Sequence, residues 1–397
     1  KNVCTKLGNP QDDIKCIQVC GTNGKGSTIS FLHSILKEAN IKCNIYSSPH
    51  IKSINERFIY NDKIIEDNEL ADLLNEIEEI NAGQPLTYFE ALTATFFHGC
   101  RNYKDNIVLA EFGLFGRGDA VNILEKNLCN IVTSCSEDHL EWLPENDRNI
   151  ERIIFEKTSF LLESNIIVAK QSSKEIVECI KKNIFNNKAN KYFFNEDYNF
   201  VSMENDFFYY EDKYGGLKIP KPGMSGQFQL ENASTAIASL RILENLKIKD
   251  EQIVKGIKNA YNSARLEEIK SGKLKDLVKN NRLIIDSSHN PGGSKAINEY
   301  LQTLNCNKHV IVGMMENKDH EKFINYFKNI SSLTVIDIPN QTNAISGGKL
   351  KEKFKKFKNL NYAKSIEIAL KALQLEKNDI ILITGSIYLA GEMFNLN

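Results

Sequence analysis

The sequence predicts an α/β protein with two domains, and three observations support this prediction. The chain has 397 residues, more than the roughly 100 to 200 residues of a usual single domain. Short Val- and Ile-rich runs alternate with longer amphipathic stretches, which is typical of parallel sheets covered by helices. The alternation is interrupted near Tyr192 and resumes near Arg282. We expect an N-terminal domain with a mostly parallel sheet and a small antiparallel excursion, followed by a smaller C-terminal Rossmann-like α/β domain.

The strands of the N-terminal domain are predicted from apolar runs of four to six residues bounded by polar ones. They cover residues 15–20, 44–47, 107–111, 131–134 and 166–170. The aromatic, alternating stretch 192–220, with its Gly215-Gly216 turn, indicates the antiparallel excursion.

A second alternating series predicts the C-terminal domain. Its strands are expected at 283–286, 310–313, 333–338 and 380–384. We expect the domains to cover 1–270 and 282–397, joined by the charged linker 271–281.

Charge and hydropathy favour a small-molecule substrate. Lys and Arg total 50 against 51 Asp and Glu, a net charge of -1, so no global charge attracts nucleic acid or an anionic membrane. No apolar run approaches the roughly 18 residues that suggest a membrane span.

The nine cysteines show no CxxC pair and no zinc-type spacing, which favours free thiols in a reducing compartment. We expect a cytoplasmic protein. A mitochondrial pool stays open, because the chain begins with Lys1 rather than Met.

A glycine-rich loop is the strongest local signal. Residues 20–28 read Cys-Gly-Thr-Asn-Gly-Lys-Gly-Ser-Thr, after a predicted strand and before a helix with Ile29, Leu32, Ile35 and Leu36 on one face. The loop glycines allow backbone N–H groups to approach an anion, and Lys25 adds a charge for the β- and γ-phosphates of a nucleotide. A glycine-rich turn with a chance lysine is the alternative. The spacing also differs from the common Walker A loop, because Val19 replaces its first glycine and Gly26 separates Lys25 from Ser27.

Together with ten further motifs, this loop resembles the folylpolyglutamate synthase and dihydrofolate synthase family of the Mur-ligase superfamily, whose phosphate loop typically reads GTNGKGS. The other matches follow the family's order along nearly the whole chain. They are Ser47-Ser-Pro-His50 with Asn55-Glu-Arg57, 86–93, 111–122, Asp138-His139, Glu156-Lys157, Asn232, Arg265-Leu-Glu267, 286–291, Lys318-Asp319 and 385–388. The resemblance implies that the N-terminal domain is of the P-loop ATPase type and that the C-terminal domain is a glutamate-ligase domain.

The resemblance also implies a nucleotide site and a metal site. The residues implied for ATP are Thr22, Asn23, Gly24, Lys25, Gly26, Ser27, Asn232, Arg265 and Asp286. Those implied for two Mg²⁺ ions are Ser48, Glu111, His139 and Lys157, the last as a lysine carbamylated by CO₂. A monovalent cation is a further possible cofactor. Taken alone, His139 would more often be a hydrogen-bonding surface histidine than a metal ligand, and Lys157 would more often be a lysine on a helix surface.

The remaining implied sites concern the other two substrates. Thr87, Tyr88, Phe89 and Glu90 match family positions that contact the pterin ring, although Tyr88 and Phe89 could equally serve core packing. His289 and Ser386 are candidates for holding the incoming glutamate. Lys25, Lys157, Arg265 and His289 are the predicted catalytic residues.

The implied activity joins L-glutamate to 7,8-dihydropteroate and adds γ-linked glutamates to folates, through an acyl phosphate made with ATP. The motif Tyr88-Phe89-Glu90 favours the bifunctional branch of this family, since family members that only extend folates tend to have Arg at the position of Glu90. A monofunctional dihydrofolate synthase and another Mur-type ligase are alternatives. A catalytically inactive nucleotide-binding regulator is a third, because Phe115 and Val121 replace a Gly and a Thr of the family pattern and 135–137 replaces apolar residues. We expect a monomer without nucleic-acid or membrane partners.

Overall fold

The chain folds into two compact units. The computed structural model describes residues 1–204 and 206–397. The first unit comprises Lys1–Gly223 and Gln229–Tyr261, and the second comprises Met224–Phe228 and Asn262–Asn397. The boundary therefore lies before 271–281, the range expected to be a linker. Residues in that range fold as part of the second unit, and their charges reflect exposure to solvent.

The main sheet of the first unit is mostly parallel. Its strands are β1 (Lys15–Cys20), β2 (Cys43–Tyr46), β3 (Phe58–Tyr60), β4 (Lys63–Ile64), β5 (Ile107–Glu111), β6 (Cys129–Val132), β7 (Asn165–Val168) and β8 (Lys191–Phe193). Their order across the sheet is β4-β3-β2-β5-β1-β6-β7-β8. β3 is antiparallel to β2 and to β4, and the other pairs are parallel.

Helices flank this sheet. They are α1 (Asn2–Lys6), α2 (Lys25–Glu38), α3 (Asp67–Asn81), α4 (Tyr88–Cys100), α5 (Ile150–Thr158), α6 (Lys174–Asn183), α7 (Phe228–Arg241) and α8 (Asp250–Asn259). Short 3-10 helices cover Ile54–Arg57, Arg101–Tyr103, Leu140–Trp142, Glu145–Asp147 and Glu244–Leu246. The four apolar residues predicted on one face of α2 are buried, since each is at most 4% exposed.

The predicted antiparallel excursion is a separate sheet with the order β11-β10-β9. Its strands are β9 (Tyr198–Ser202), β10 (Phe207–Asp212) and β11 (Gly215–Pro220). The excursion starts later than residue 192, because Tyr192 belongs to β8 and pairs in parallel with β7. On β10 the rings of Phe208 and Tyr210 are buried while Tyr209 between them is exposed, which is the alternation expected of a sheet with one solvated face.

The second unit is built on a mostly parallel sheet with the order β12-β13-β17-β14-β15-β16. Its strands are β12 (Glu267–Ile269), β13 (Arg282–Ile285), β14 (Lys308–Val312), β15 (Ser332–Ile336), β16 (Leu360–Ala363) and β17 (Ile380–Thr384). Its helices are α9 (Lys273–Leu277), α10 (Pro291–Gln302), α11 (His320–Asn325), α12 (Gly347–Lys353), α13 (Ile366–Ala372) and α14 (Ile387–Leu396). β12 is antiparallel to β13. The predicted fold class, with its two α/β sheets and an antiparallel excursion, is confirmed.

All nine cysteines lie in the described part of the chain, and each is a free thiol. Within residues 1–204 and 206–397, no helix is both long and apolar enough to cross a membrane.

Candidate active site

The glycine-rich loop joins the carboxyl end of β1 to the first turn of α2. Gly21 has φ +134° and Gly24 has φ +91°, values that side chains other than glycine rarely adopt. A Cβ at Gly21 would overlap Oγ1 of Thr133, and a Cβ at Gly24 would overlap Oδ1 of Asn232. Both glycines are therefore required by backbone conformation and by close packing, as the sequence predicts for a loop that surrounds an anion.

The loop is fastened to the chain that follows β6. The backbone N–H groups of Thr22 and Asn23 both donate to the carbonyl of Ser134, at 2.9 and 3.1 Å. The Thr22 hydroxyl donates to the carbonyl of Ser136 at 3.0 Å and accepts from the Ser136 N–H at 3.1 Å. These bonds fix the loop conformation, so its geometry depends on a segment more than a hundred residues away in sequence.

Lys25 and Glu111 lie together because β1 and β5 are paired in register. Val19 of β1 is opposite Glu111 of β5, so the carboxyl ends of both strands reach the same edge of the sheet. The Lys25 ammonium lies 3.8 Å from a carboxylate oxygen of Glu111 and 3.3 Å from the carbonyls of Gly21 and Thr22. A lysine ammonium and a buried carboxylate thus share this edge, which is where ligands bind in open α/β sheets.

Glu111 is 5% exposed, and its other carboxylate oxygen accepts the backbone N–H of Ser48 at 3.2 Å. Ser48 precedes a cis peptide bond to Pro49. The carboxylate and the serine hydroxyl are oxygen donors of the kind that Mg²⁺ prefers, with water and phosphate completing the coordination. Their chemistry therefore fits the predicted metal.

Lys157 is buried beneath the loop, at 3% exposure. Its Nζ donates to the carbonyl of Gly21 at 3.0 Å and to the carbonyl of Leu114 at 2.7 Å. Burial, and secondarily the charge of Lys25, lower its pKa to about 8. A lysine with this pKa is neutral in roughly a quarter of molecules at pH 7.5, against about one in a thousand for an ordinary lysine.

Asp119 organises the loop that follows β5. Its carboxylate accepts the N–H groups of Gly113 and Leu114, both at 3.0 Å, and that of Val121 at 3.0 Å. Burial raises the pKa of Asp119, although these three backbone N–H bonds oppose the rise. The carboxylate thus closes the turn that places the Leu114 carbonyl against Lys157.

His139 lies in the chain after β6 with φ +60°. Its backbone N–H donates to the Asp138 carboxylate at 2.9 Å, and its Nε2 lies 3.8 Å from that carboxylate's other oxygen. Its ring meets the Phe115 ring edge-on, with centroids 6.5 Å apart. Within the described residues, no group of three or more His, Cys, Asp or Glu side chains is arranged to hold a metal ion. The metal-binding role of His139 stays a prediction.

Asn232, on α7, lies against Gly24 of the loop, and its predicted contact with ATP stays a prediction. Its Nδ2 donates to Oε1 of Gln229 at 3.0 Å, and Nε2 of Gln229 donates to Oγ of Ser27 at 3.3 Å. These three side chains form a buried polar chain from α7 to the first turn of α2. Sequence reasoning did not assign Gln229 a role, although its spacing of three residues from Asn232 places both on one helix face.

The residues predicted to bind the pterin have three different local roles. Thr87 and Glu90 form a capping box at the start of α4, with the Glu90 carboxylate accepting from Thr87 N–H and Oγ1 at 3.0 and 2.6 Å. Tyr88 is 60% exposed, and the Arg57 guanidinium lies 5.8 Å from its ring centre. Phe89 packs on Tyr46, with centroids 5.9 Å apart. Tyr88 therefore offers aromatic surface, while Phe89 belongs mainly to the packing of the unit.

In the second unit, Arg265 lies between two residues of left-handed backbone, Ala264 (φ +52°) and Leu266 (φ +47°). A bulky residue such as Leu at positive φ is a strained conformation. The Arg265 guanidinium donates to Oγ of Ser287. Asp286, at 1% exposure, accepts the N–H of Leu266 and of Ser288, both at 2.8 Å. In this conformation Asp286 fixes the turn that carries Arg265, and its contact with ATP stays a prediction.

The two candidates for glutamate binding lie at the carboxyl ends of strands in the second unit. Ser386 follows β17 and caps α14, where its Oγ accepts the N–H of Tyr388 at 3.1 Å. His289 follows β13, and its Nδ1 lies 3.2 Å from the carbonyl of Ser287. The adjacent Asn290 caps α10, whose first residue is Pro291. β13 and β17 are paired in parallel, so both candidates lie at the same edge of this sheet.

Comparisons with known proteins agree with this architecture. Residues 265–387 match the family model for the Mur ligase, glutamate ligase domain. The chain is 27% identical to the dihydrofolate synthase/folylpolyglutamate synthase of Bacillus subtilis, over 99% of this chain and 93% of that protein.

Solved structures of E. coli FolC superimpose on nearly the whole chain. The complex with ADP, without folate substrate, has a TM-score of 0.87 and 25% identity, covering 99% of this chain and 92% of that one. The complex with DHPP and ADP has a TM-score of 0.86 and 26% identity, covering 99% and 91%.

The fold and the phosphate loop beside a buried carboxylate define a ligase of the Mur-ligase superfamily. Within that superfamily, the chain is similar over nearly its whole length to members of the folylpolyglutamate synthase and dihydrofolate synthase family.

Proposed function

We propose that this chain is an ATP-dependent amide ligase that joins L-glutamate to 7,8-dihydropteroate and adds γ-linked glutamates to folates. The observation that supports it most directly is the convergence of Lys25, Glu111 and Lys157 at the glycine-rich loop, within one folded unit. Similarity over 99% of the chain to a dihydrofolate synthase/folylpolyglutamate synthase supports both halves of the activity.

Forming an amide from a free carboxylate is uphill, so the carboxylate is first phosphorylated by ATP and the amine then displaces the phosphate. The γ-phosphate carries spread negative charge during its transfer, and fixed cations and N–H groups stabilise that charge. Lys25 and the loop N–H groups supply these in the first unit. Arg265 is the proposed arginine of the second unit, because its planar guanidinium gives two directed bonds to a phosphate.

Glu111, Ser48 and His139 would hold a divalent cation, and a carbamylated Lys157 would help to hold a second one. When bound, such an ion neutralises phosphate charge and orients the transferred group. The buried Glu111 carboxylate also lies 3.8 Å from Lys25, so it positions the ammonium group at the mouth of the loop. A monovalent cation stays a possible addition.

Carbamylation of Lys157 requires the neutral amine, which attacks CO₂ and loses a proton to give a carbamate. Its burial and its pKa of about 8 support this proposal. A Lys157→Ala enzyme should lose activity and regain part of it with short carboxylic acids such as acetate. Full activity of Lys157→Ala without any added acid would contradict the proposal.

The acceptor substrate is proposed to stack on Tyr88, which presents an exposed ring beside Arg57. E. coli FolC, 26% identical over 99% of this chain, has been solved with DHPP and ADP bound. We propose that His289 and Ser386 position the incoming glutamate. A cytoplasmic location and a monomeric state stay predictions.

The experiment that tests this function is release of ADP by the purified chain with ATP, Mg²⁺ and L-glutamate. Dihydropteroate and tetrahydrofolate are compared as acceptors in the same assay, with Lys25→Ala as the inactive control. Turnover on both acceptors supports the bifunctional enzyme, and turnover on dihydropteroate alone indicates the monofunctional dihydrofolate synthase. Binding of ATP without turnover on either acceptor would contradict the proposal and favour another Mur-type ligase or a regulator.

A further inference from the structure

Phe115 occupies a position where the family pattern carries glycine, and its ring contacts two residues of the site. Its edge-on contact with His139 has centroids 6.5 Å apart at 82°. The Lys157 ammonium lies 5.3 Å from the centre of the same ring. Phe115 is 9% exposed, so nearly all of this ring is in contact with protein.

The same ring belongs to a small apolar cluster at this edge of the sheet. Phe115 packs with the buried Leu143 and Ile153 and the partly buried Leu114 and Leu140. Leu140 is the first residue of the 3-10 helix that directly follows His139, and Leu143 is the residue after that helix. Ile153 is on α5, one turn before Lys157. The cluster therefore joins the His139 turn to the helix that carries Lys157.

The backbone around Phe115 adds a second connection to α5. The carbonyl of Leu114 accepts from Lys157 Nζ at 2.7 Å, and the N–H groups of Gly116 and Arg117 donate to the carbonyl of Glu156 at 2.9 and 3.1 Å. Backbone hydrogen bonds thus hold the loop that follows β5 against α5. The Phe115 ring, on the same loop, also contacts His139. A glycine at position 115 would keep these backbone hydrogen bonds but would remove the ring contact with His139.

We propose that Phe115 is a positioning residue, whose ring fixes His139 relative to Lys157 and so sets the affinity of this site for a divalent cation. The inference rests on the proposed function, since that function makes His139 and Lys157 cation ligands. Side chains that orient metal ligands typically change metal affinity by about 10- to 100-fold when they are removed.

The test measures Mn²⁺ binding directly, by the loss of the free Mn²⁺ signal in electron paramagnetic resonance. The full chain is titrated with Mn²⁺ in the presence of an ATP analogue that cannot be cleaved between its β- and γ-phosphates. Phe115→Gly, Phe115→Leu and Phe115→Tyr are compared with the unchanged chain. Phe323→Leu is the matched control, because that ring is also buried but lies in the second unit against Phe327.

We expect Phe115→Gly to weaken Mn²⁺ binding about 10- to 100-fold, with Phe115→Tyr close to the unchanged chain. Phe115→Leu retains apolar volume without the ring contacts and should fall between them. It also keeps the test decisive if Phe115→Gly does not fold. The KM for L-glutamate should be unchanged in Phe115→Leu, since the ring contacts no residue proposed to bind glutamate.

Two results would overturn the inference and leave the proposed function standing. One is equal Mn²⁺ affinity in the unchanged chain, Phe115→Gly and Phe115→Leu, with only the melting temperature lowered. The other is an equal loss of Mn²⁺ affinity in Phe323→Leu, which would indicate a general effect of destabilisation. Failure of the unchanged chain to bind Mn²⁺ beyond the nucleotide's own affinity would instead remove the proposed metal site and this inference together.

Discussion

The Nζ of Lys157 donates a hydrogen bond to the carbonyl of Gly21 at 3.0 Å, across 136 positions of sequence. A second bond to Leu114 ties the same amine to the loop after β5. One buried lysine therefore connects the helix α5 to both loops that form the phosphate end of the sheet. Its protonation state and its chemistry are consequently coupled to the conformation of the nucleotide loop.

The lowered pKa of Lys157 predicts a pH dependence of stability. The folded protein releases this proton near pH 8, whereas an unfolded chain releases it near pH 10.4. Between these values the unfolded state binds more protons, so the free energy of unfolding contributed by Lys157 rises with pH, by up to about 3 kcal/mol. Lys157→Met lacks this rise. Its stability relative to the unchanged chain should fall steadily from pH 8 to pH 10, as measured by urea unfolding in CO₂-depleted buffer.

Parallel stability curves for the two proteins over that pH range would show that Lys157 is not perturbed. Repeating the pH 8 measurement with added bicarbonate provides a control for carbamylation, since only the chain with Lys157 can respond.

Gly24→Ala should lower both the stability of the protein and its affinity for ATP. The positive φ of Gly24 costs a residue with a Cβ about 1 to 2 kcal/mol, and the added methyl would also overlap Asn232. Gly83→Ala is the matched control, because Gly83 has φ +71° with no atom within 4 Å of an added Cβ. We expect Gly24→Ala to lower the melting temperature more than Gly83→Ala and to weaken ATP binding at least about tenfold. Equal melting temperatures for the two variants would contradict the close packing of Gly24 on α7.

Asp119→Asn tests the loop that follows β5. The amide keeps one acceptor oxygen but places an NH₂ group where the carboxylate accepts backbone N–H groups, so at least one of its three bonds is lost. We expect a loss of about 1 to 3 kcal/mol in the free energy of unfolding and a lower kcat, because the Leu114 carbonyl loses its place against Lys157. Asp13→Asn, at a carboxylate that is 76% exposed, is the control. It should change neither the free energy of unfolding nor kcat. A stable but inactive Asp119→Asn would instead indicate a direct role of the carboxylate with substrate.

Asp286→Asn separates a structural role from contact with ATP. The buried Asp286 carboxylate accepts two backbone N–H groups beside Arg265. If it fixes this turn, the variant loses about 1 to 3 kcal/mol of stability in the absence of nucleotide, measured by thermal unfolding. The exposed Asp276 offers the control Asp276→Asn. A variant of unchanged stability with a raised KM for ATP would identify Asp286 as a nucleotide contact.

Local patterns made much of the first unit predictable. The run 15–20, the glycine loop and the four apolar positions of α2 together predict strand, loop and helix, and the structure has these elements at Lys15–Cys20 and Lys25–Glu38. Such predictions succeed because side-chain periodicity and glycine conformation act over a few neighbouring residues. The antiparallel excursion starts later than the predicted residue 192, because Tyr192 pairs in parallel with the distant strand β7.

The chemical neighbours of the site could not be read from local pattern. Nothing near Lys157 in sequence indicates that its amine donates hydrogen bonds to the carbonyls of Gly21 and Leu114. The contacts of the Phe115 ring with Lys157 and with His139 are equally absent from the local pattern. The roles of Glu90 as a helix cap and of Asp286 as an acceptor for two backbone N–H groups also emerged only in three dimensions.

By itself, the sequence determined the two-domain α/β class, the glycine-rich loop and, through the order of its motifs, the family that the chain resembles. Only the tertiary structure decided which carboxylates and lysines meet, because parallel pairing of β1 with β5 and β6 brings together chain segments about a hundred residues apart. Burial at that edge then sets the pKa of Lys157, since the cost of removing a charge from water depends on all the surrounding atoms rather than on neighbours in sequence.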